Sequence, residues 1–214
     1  MTIDVLSLYQ DSPLWVRLHT RVRWEICPFL KIAKWVPRRG KMLELGCGHG
    51  LMANLLSLES AGREVLGTDI SRQKIASARK SIGARKNIGF ERRGIQDPRN
   101  FKKSWQCILI LDVLYLLPIE NWKPVITECY HALEKGGILL LKEQGTRPRL
   151  KYLWNLFQEF LVVRIFHLTE GAALTFPGQK AIEKLLRKTG FSVKVKQLHK
   201  GFPHPHVLFV CRRP

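Results

Sequence analysis

From residue 44 to residue 50 the chain reads Glu44-Leu-Gly46-Cys47-Gly48-His49-Gly50, and Asp69 closes a second apolar run, Glu64-Val-Leu-Gly-Thr-Asp69. Glycines at alternate positions make a tight turn that a ligand can approach closely. A carboxylate about twenty residues further on, at the end of a neighbouring strand, suits a pair of ribose hydroxyls. Together they point to a cofactor that contains a nucleoside. Glu44 bears on its charge: a pyrophosphate at this turn would be repelled, whereas cationic groups would be attracted. The third glycine also comes one place earlier than the dinucleotide fingerprint requires. Cys47 stands where the turn wants a small side chain, and a nucleophilic role is not expected of it.

These residues need strands to carry them. Apolar runs near 41–45, 64–69, 88–92, 105–111 and 137–142 predict strands, alternating with helical segments near 50–60, 72–82 and 119–133. Such alternation predicts an α/β fold, a doubly wound sheet of parallel strands with crossovers on both faces. A helix is expected over 179–189. Phe191–Gln197 and Val207–Arg212 then read as strands whose short connection permits antiparallel pairing. Ahead of the first strand, residues 13–36 form an amphipathic helical leader that starts after Ser12-Pro13 and is interrupted at Pro28. In it Leu14, Leu18 and Val22 fall at helical spacing beside Arg17 and Arg21, and Trp15, Trp24 and Trp35 interleave with basic residues.

Further motifs extend the pattern. Lys135-Gly-Gly-Ile-Leu-Leu-Leu141, Ile108-Leu-Ile-Leu-Asp112-Val-Leu-Tyr115-Leu-Leu-Pro118 and Thr189-Gly-Phe-Ser-Val-Lys-Val195 join the glycine turn and Asp69. In this combination the chain resembles the class I S-adenosylmethionine-dependent methyltransferases, from about Lys41 to Glu143 and again from Thr175. The resemblance implies a Rossmann-like, seven-stranded sheet, mostly parallel with an antiparallel last strand. It implies S-adenosyl-L-methionine as cofactor, held by Glu44, Gly46, Cys47, Gly48, Gly50, Asp69, Ile70, Ile95, Gln96 and Asp112. Two positions depart from the family: Ile95 stands where an acid often meets the adenine amino group, and Cys107 replaces the acid that commonly opens the fourth strand. The adenine contact would then pass to backbone, Gln96 or Asp97.

One domain is expected over residues 1–214: an amino-terminal helical cap (1–40), a cofactor-binding core (41–145), an apolar helical insertion (146–175) and a final helix with β-hairpin (176–214). The insertion holds Leu150–Leu168, apolar around much of a helix and carrying five aromatics. A helix of that kind must be buried or face lipid or an apolar ligand. Trp154 and Phe157, with Trp15 of the cap, are therefore the expected acceptor-pocket residues. In-line transfer from a sulfonium asks chiefly for alignment and exclusion of water. A hydroxyl acceptor would also need a base, for which Tyr115, His167, His204 and His206 are candidates, Tyr115 the best placed.

The net charge of +19 is the second strong signal. Residues 17–41 hold eight Lys/Arg against one acid, residues 71–104 eleven against two, and residues 142–214 fourteen against four. Such a field attracts anionic partners: a membrane surface, an acidic carrier protein or nucleic acid. Nucleic acid is the less favoured, because Asp112-Val-Leu-Tyr115 replaces the Asn/Asp-Pro-Pro-aromatic run of base-nitrogen methylating enzymes, and Cys27-Pro28 precedes the first strand. The expected acceptor is thus an apolar small molecule, lipid-like or carrier-bound. RNA or protein methylation is the alternative, and a non-catalytic cofactor-binding or membrane-docking protein is another of a different class. Five scattered cysteines without metal-ligand spacing predict core thiols and no metal. No signal peptide and no uninterrupted run of about 18 apolar residues is present, so a cytoplasmic protein is expected, for which the basic surface leaves the inner face of the membrane open as a peripheral location.

Overall fold

In a computed structural model the described residues are 4–144, 177–203 and 205–214. The whole insertion at 146–175, with Trp154, Phe157 and His167, lies outside them, as does His204.

Seven strands, β1 (Gly40–Leu45), β2 (Arg63–Asp69), β3 (Ile88–Arg92), β4 (Trp105–Leu111), β5 (Leu133–Gln144), β6 (Ser192–Gln197) and β7 (His206–Arg212), form one sheet. Its order is β3-β2-β1-β4-β5-β7-β6. The first five strands pair in parallel, and β7 runs antiparallel to both of its neighbours. This is the Rossmann-like arrangement expected from the sequence. The order reverses at β1 and β4, and in such sheets ligands bind beyond the carboxyl ends of the strands at that switch point.

Side chains alternate across each strand, so one sheet presents two apolar faces. Met42, Cys107, Leu109 and Leu140 belong to a core shared with α1 (Leu14–Ile26), α2 (Phe29–Ala33), α3 (Leu51–Glu59) and α4 (Arg72–Lys80). Leu43, Leu45, Ile108, Ile110, Leu139 and Phe209 belong to the other, with α5 (Trp122–Ala132) and α6 (Gln179–Lys188). The cores are thick because strands buried on both faces can be apolar throughout.

Both ends of one helix differ from the sequence expectation. Residues 119–133 do not form one helix: a 3-10 turn over Ile119–Asn121 precedes α5, and Leu133 already belongs to β5. Pro118 precedes that tight turn, and Pro124 sits in the first turn of α5, where a missing N–H costs nothing. The leader divides as expected at Cys27-Pro28, where Cys27 is extended. The apolar stripe of that leader does not turn inward. Val16 and Thr20 are the buried residues of α1, while Leu14, Leu18 and Val22 face outward.

Candidate active site

The glycine turn lies between β1 and α3, where Gly46, Gly48 and Gly50 all adopt positive φ, at 74°, 56° and 84°. The N–H groups of Gly46 and Cys47 both donate to the Thr68 carbonyl of β2, at 2.8 and 2.9 Å, which anchors the turn against the neighbouring strand. A Cβ on Gly46 would collide with Val113, whereas one on Gly48 would meet nothing within 4 Å. Gly46 is thus packed from behind and Gly48 opens onto free space, the asymmetry a ligand cradle needs.

At the end of β2, Asp69 accepts from the Gly48 N–H (2.9 Å) and from the Ser71 N–H (2.8 Å), so one carboxylate ties the turn to the start of α4. Ile70, next in the chain, is 59% exposed, an apolar surface beside that carboxylate. Glu44 is buried and accepts from the Ala53 N–H of α3 at 2.9 Å. Burial pushes its carboxyl up to about 8; the Ala53 hydrogen bond and the Arg23 charge work against this, and Asp69 adds to it. A buried acid held so near neutrality gains much from a cationic neighbour.

Beyond β4 the site is built differently. Asp112 has a φ of 59°, the one positive value outside glycine among the described residues. Short polar side chains tolerate this conformation, which turns the chain sharply off the strand. Its buried carboxylate pairs through one oxygen with Lys142 of β5 and through the other with Arg23 of α1. Burial alone would raise this carboxyl, but Lys142, Arg23 and His206 outweigh it and hold it well below the usual carboxylate range. Glu143 is also buried and accepts from the Leu114 N–H. Tyr115 is buried in the turn Leu114–Leu116, within the second core.

The leader spans both parts. The Tyr9 hydroxyl donates to the His49 carbonyl at 2.7 Å, and the Trp15 and His19 rings meet the His49 ring edge-on at 5.6 and 5.0 Å. One turn on, Arg23 reaches Asp112, and the Ile26 carbonyl lies 2.8 Å from Nε2 of His206 on β7. From Trp15 to Ile26 a helix rises about 16 Å, and from β1 to β7 the strand spacing adds up to about 14 Å. α1 is therefore a beam laid across the carboxyl edge of the sheet.

Of the residues singled out from sequence, the structure brings Glu44, Gly46, Cys47, Gly48, Gly50, Asp69 and Asp112 to this edge. Ile95 is partly buried against the second core and Gln96 is exposed. Asp97 is engaged locally, capping the turn at Pro98–Asn100 and pairing with Arg99. Arg23, His49 and Lys142 carried no site role in the sequence reading. Among the described residues neither buried His49 ring nitrogen has a hydrogen-bond partner, and burial, then His19 and Lys74, lower its imidazole to about 4, so it is neutral at physiological pH. Lys142 had a signal: a lysine ending the run Ile138-Leu-Leu-Leu-Lys142 must find a partner if that strand is central. All five cysteines are buried and free. Burial raises the Cys47 thiol well above its ordinary value, which disfavours a thiolate.

The sequence profile of a family described as a methyltransferase domain matches residues 19–195. This chain belongs to that family. The methyltransferase is similar to YqeM of Bacillus subtilis, 28% identical over 123 residues that make up 53% of this chain and 47% of YqeM, so it spans about half of that relative. It is also similar to the demethylmenaquinone methyltransferase of Lactococcus lactis, 28% identical over 190 residues, 79% of this chain and 74% of the other. In fold it is similar to the magnesium protoporphyrin IX methyltransferase of Synechocystis PCC 6803, solved with bound SAH, with a TM-score of 0.69 and 20% identity over 97% of this chain and 92% of that one.

Its cofactor is S-adenosylmethionine. The residues present fit it: the open cradle at Gly48, the carboxylate of Asp69 beside exposed Ile70, and the buried acid Glu44 offer the open backbone, the hydroxyl acceptor and the anion that it would need. When bound, that cofactor supplies an electrophilic methyl group on a sulfonium. Among the described residues no group of three His, Cys, Asp or Glu side chains could hold a metal, and no helix is long and apolar enough to cross a membrane.

Proposed function

We propose that this methyltransferase acts by in-line displacement on an apolar small molecule, lipid-like or carrier-bound. The observation that carries the reading is the apolar border of the site: Trp15 stands half exposed with its ring edge against His49 of the cofactor turn, and Leu18 is exposed one turn further along α1. A rim of this kind favours an acceptor with an apolar body. The similar proteins named for demethylmenaquinone and for magnesium protoporphyrin IX support a small-molecule acceptor.

In this reading Glu44 neutralises the cationic end of the cofactor and Asp69 takes the ribose hydroxyls. Ile70, with Ile95 and Gln96, borders the adenine, and Gly46, Cys47, Gly48 and Gly50 offer backbone. Asp112 contributes its main-chain carbonyl, since Lys142 and Arg23 engage both carboxylate oxygens. Trp15, Trp154 and Phe157 wall the acceptor. Tyr115 borders the same pocket and, in its phenolate form, takes the proton when the acceptor is a hydroxyl, later passing it to water. The protein's main contribution is alignment and exclusion of water, and it works on the cytosolic side, where the methyl donor is made.

The test is incubation with S-adenosylmethionine labelled in its methyl group and a fractionated cell extract. Label in the organic-soluble or carrier-bound fraction is expected. Label in RNA or in protein side chains would overturn the acceptor class in favour of substrates drawn by the +19 charge. Tight cofactor binding with no transfer to any fraction would overturn catalysis itself.

A further inference from the structure

We propose that the outward face of α1 is a docking surface for an anionic phospholipid bilayer, with Leu14, Trp15, Leu18 and Val22 entering the headgroup region and Arg17 and Arg21 meeting lipid phosphates. The four apolar side chains are 77%, 45%, 62% and 48% exposed. At 100° per residue they fall within one 100° sector of the helix, a continuous stripe rather than scattered surface positions. A stripe of this size on a helix is what core packing ordinarily consumes. Here the core takes Val16 and Thr20 on the opposite side, leaving the stripe outward.

The charges beside the stripe select the partner. Arg17 and Arg21 are exposed one turn apart along its edge, and neither forms an ion pair among the described residues. Glu25 is the single acid of α1. An apolar stripe bordered by arginines, on a chain of net charge +19, is the composition of a helix that lies in the plane of an anionic interface. The arginine stems can lie along the acyl boundary while their guanidinium groups stay with the phosphates. A neutral apolar partner would leave both arginines unanswered, and a nucleic acid would leave the leucines so.

Docking would have a consequence for the site. The same helix that offers the stripe reaches Asp112 through Arg23 and meets the cofactor turn through Trp15. The bilayer would thus lie at the mouth of the site, and an apolar acceptor could arrive without crossing water. The docking itself does not depend on which acceptor is methylated.

Co-sedimentation of the full chain with phosphatidylglycerol-rich vesicles and with pure phosphatidylcholine vesicles tests it. Binding is expected to the first and to be weak or absent with the second. Leu14→Ser/Leu18→Ser should weaken binding tenfold or more. Arg17→Gln/Arg21→Gln should weaken it about thirtyfold, since each basic residue near such a surface contributes roughly fivefold. Each variant is also checked for an unchanged melting temperature and unchanged uptake of S-adenosylhomocysteine, so that a loss of vesicle binding reports the surface and not the fold. Three results would overturn the proposal: no binding to either vesicle, binding that the serine variant leaves intact, or anionic binding that an RNA competitor abolishes while RNA binds more tightly.

Discussion

The two halves of the site are held in opposite ways. On the β1–β2 side the acids are satisfied by uncharged backbone N–H groups: Asp69 by Gly48 and Ser71, Glu44 by Ala53. On the β4–β5 side the acid Asp112 is satisfied by charged side chains from far along the chain, Arg23 eighty-nine residues before it and Lys142 thirty after. A backbone N–H carries no net charge, so no cation neutralises the acids of the first half, and Glu44, held near neutrality, can give up its proton to a cationic ligand. In the second half two cations surround Asp112, and their charge is spent on structure. One half is set up to bind and the other to brace.

That contrast can be broken, and the largest effect lies on the bracing side. Lys142→Met should cost about 3–5 kcal/mol of stability, because it leaves Asp112 buried with a single partner. Urea denaturation reads this, and a loss below about 1 kcal/mol would mean that the network does not brace. Asp69→Ala should weaken S-adenosylmethionine binding by about 2 kcal/mol, close to thirtyfold, through lost charge-assisted hydrogen bonds. Calorimetry should find that loss with a smaller change in denaturation midpoint than Lys142→Met produces. The reverse ranking would exchange the roles of the two halves.

Glu44 sharpens the comparison through pH. Its carboxyl is pushed up to about 8 in the folded chain from an ordinary 4.5. Between these values the folded state holds a proton that the unfolded state has lost, so this group lowers stability as pH rises from about 4.5 to about 8. Glu44→Gln should flatten that slope in a series of thermal melts, and it should abolish the proton release that accompanies cofactor binding near neutral pH, read by calorimetry in buffers of different ionisation enthalpy. The smallest effect on stability is expected at Gly48→Ala. Its Cβ would meet nothing in the folded chain, so the left-handed backbone costs only about 1–2 kcal/mol, yet cofactor affinity should fall further than stability does.

Much of this was legible in the sequence. The glycine turn, Asp69 at the end of β2 and nearly every strand follow from short-range spacing, since a strand, its turn and the next helix are consecutive and their patterns cannot be scrambled by packing. The start of β5 at Leu133 is not legible in the sequence because a helix end and a strand start share one apolar run there, and periodicity does not separate them. The outward turn of Leu14, Leu18 and Val22 was hidden for a related reason: an apolar stripe declares that it wants a partner without saying which.

By itself, then, the sequence determined the α/β alternation, the cradle from Glu44 to Gly50 and the placing of Asp69, because one consecutive strand-turn-helix-strand unit carries them all. Tertiary structure alone decided that Arg23 and Lys142 meet at Asp112, that His49 is buried under Trp15 and His19, and that α1 lies across the sheet with its leucines outside. The physical reason is the cost of burying charge. An acid taken out of water must find cations wherever the fold brings them, and which residues those are depends on strand order and helix direction, which no local pattern encodes.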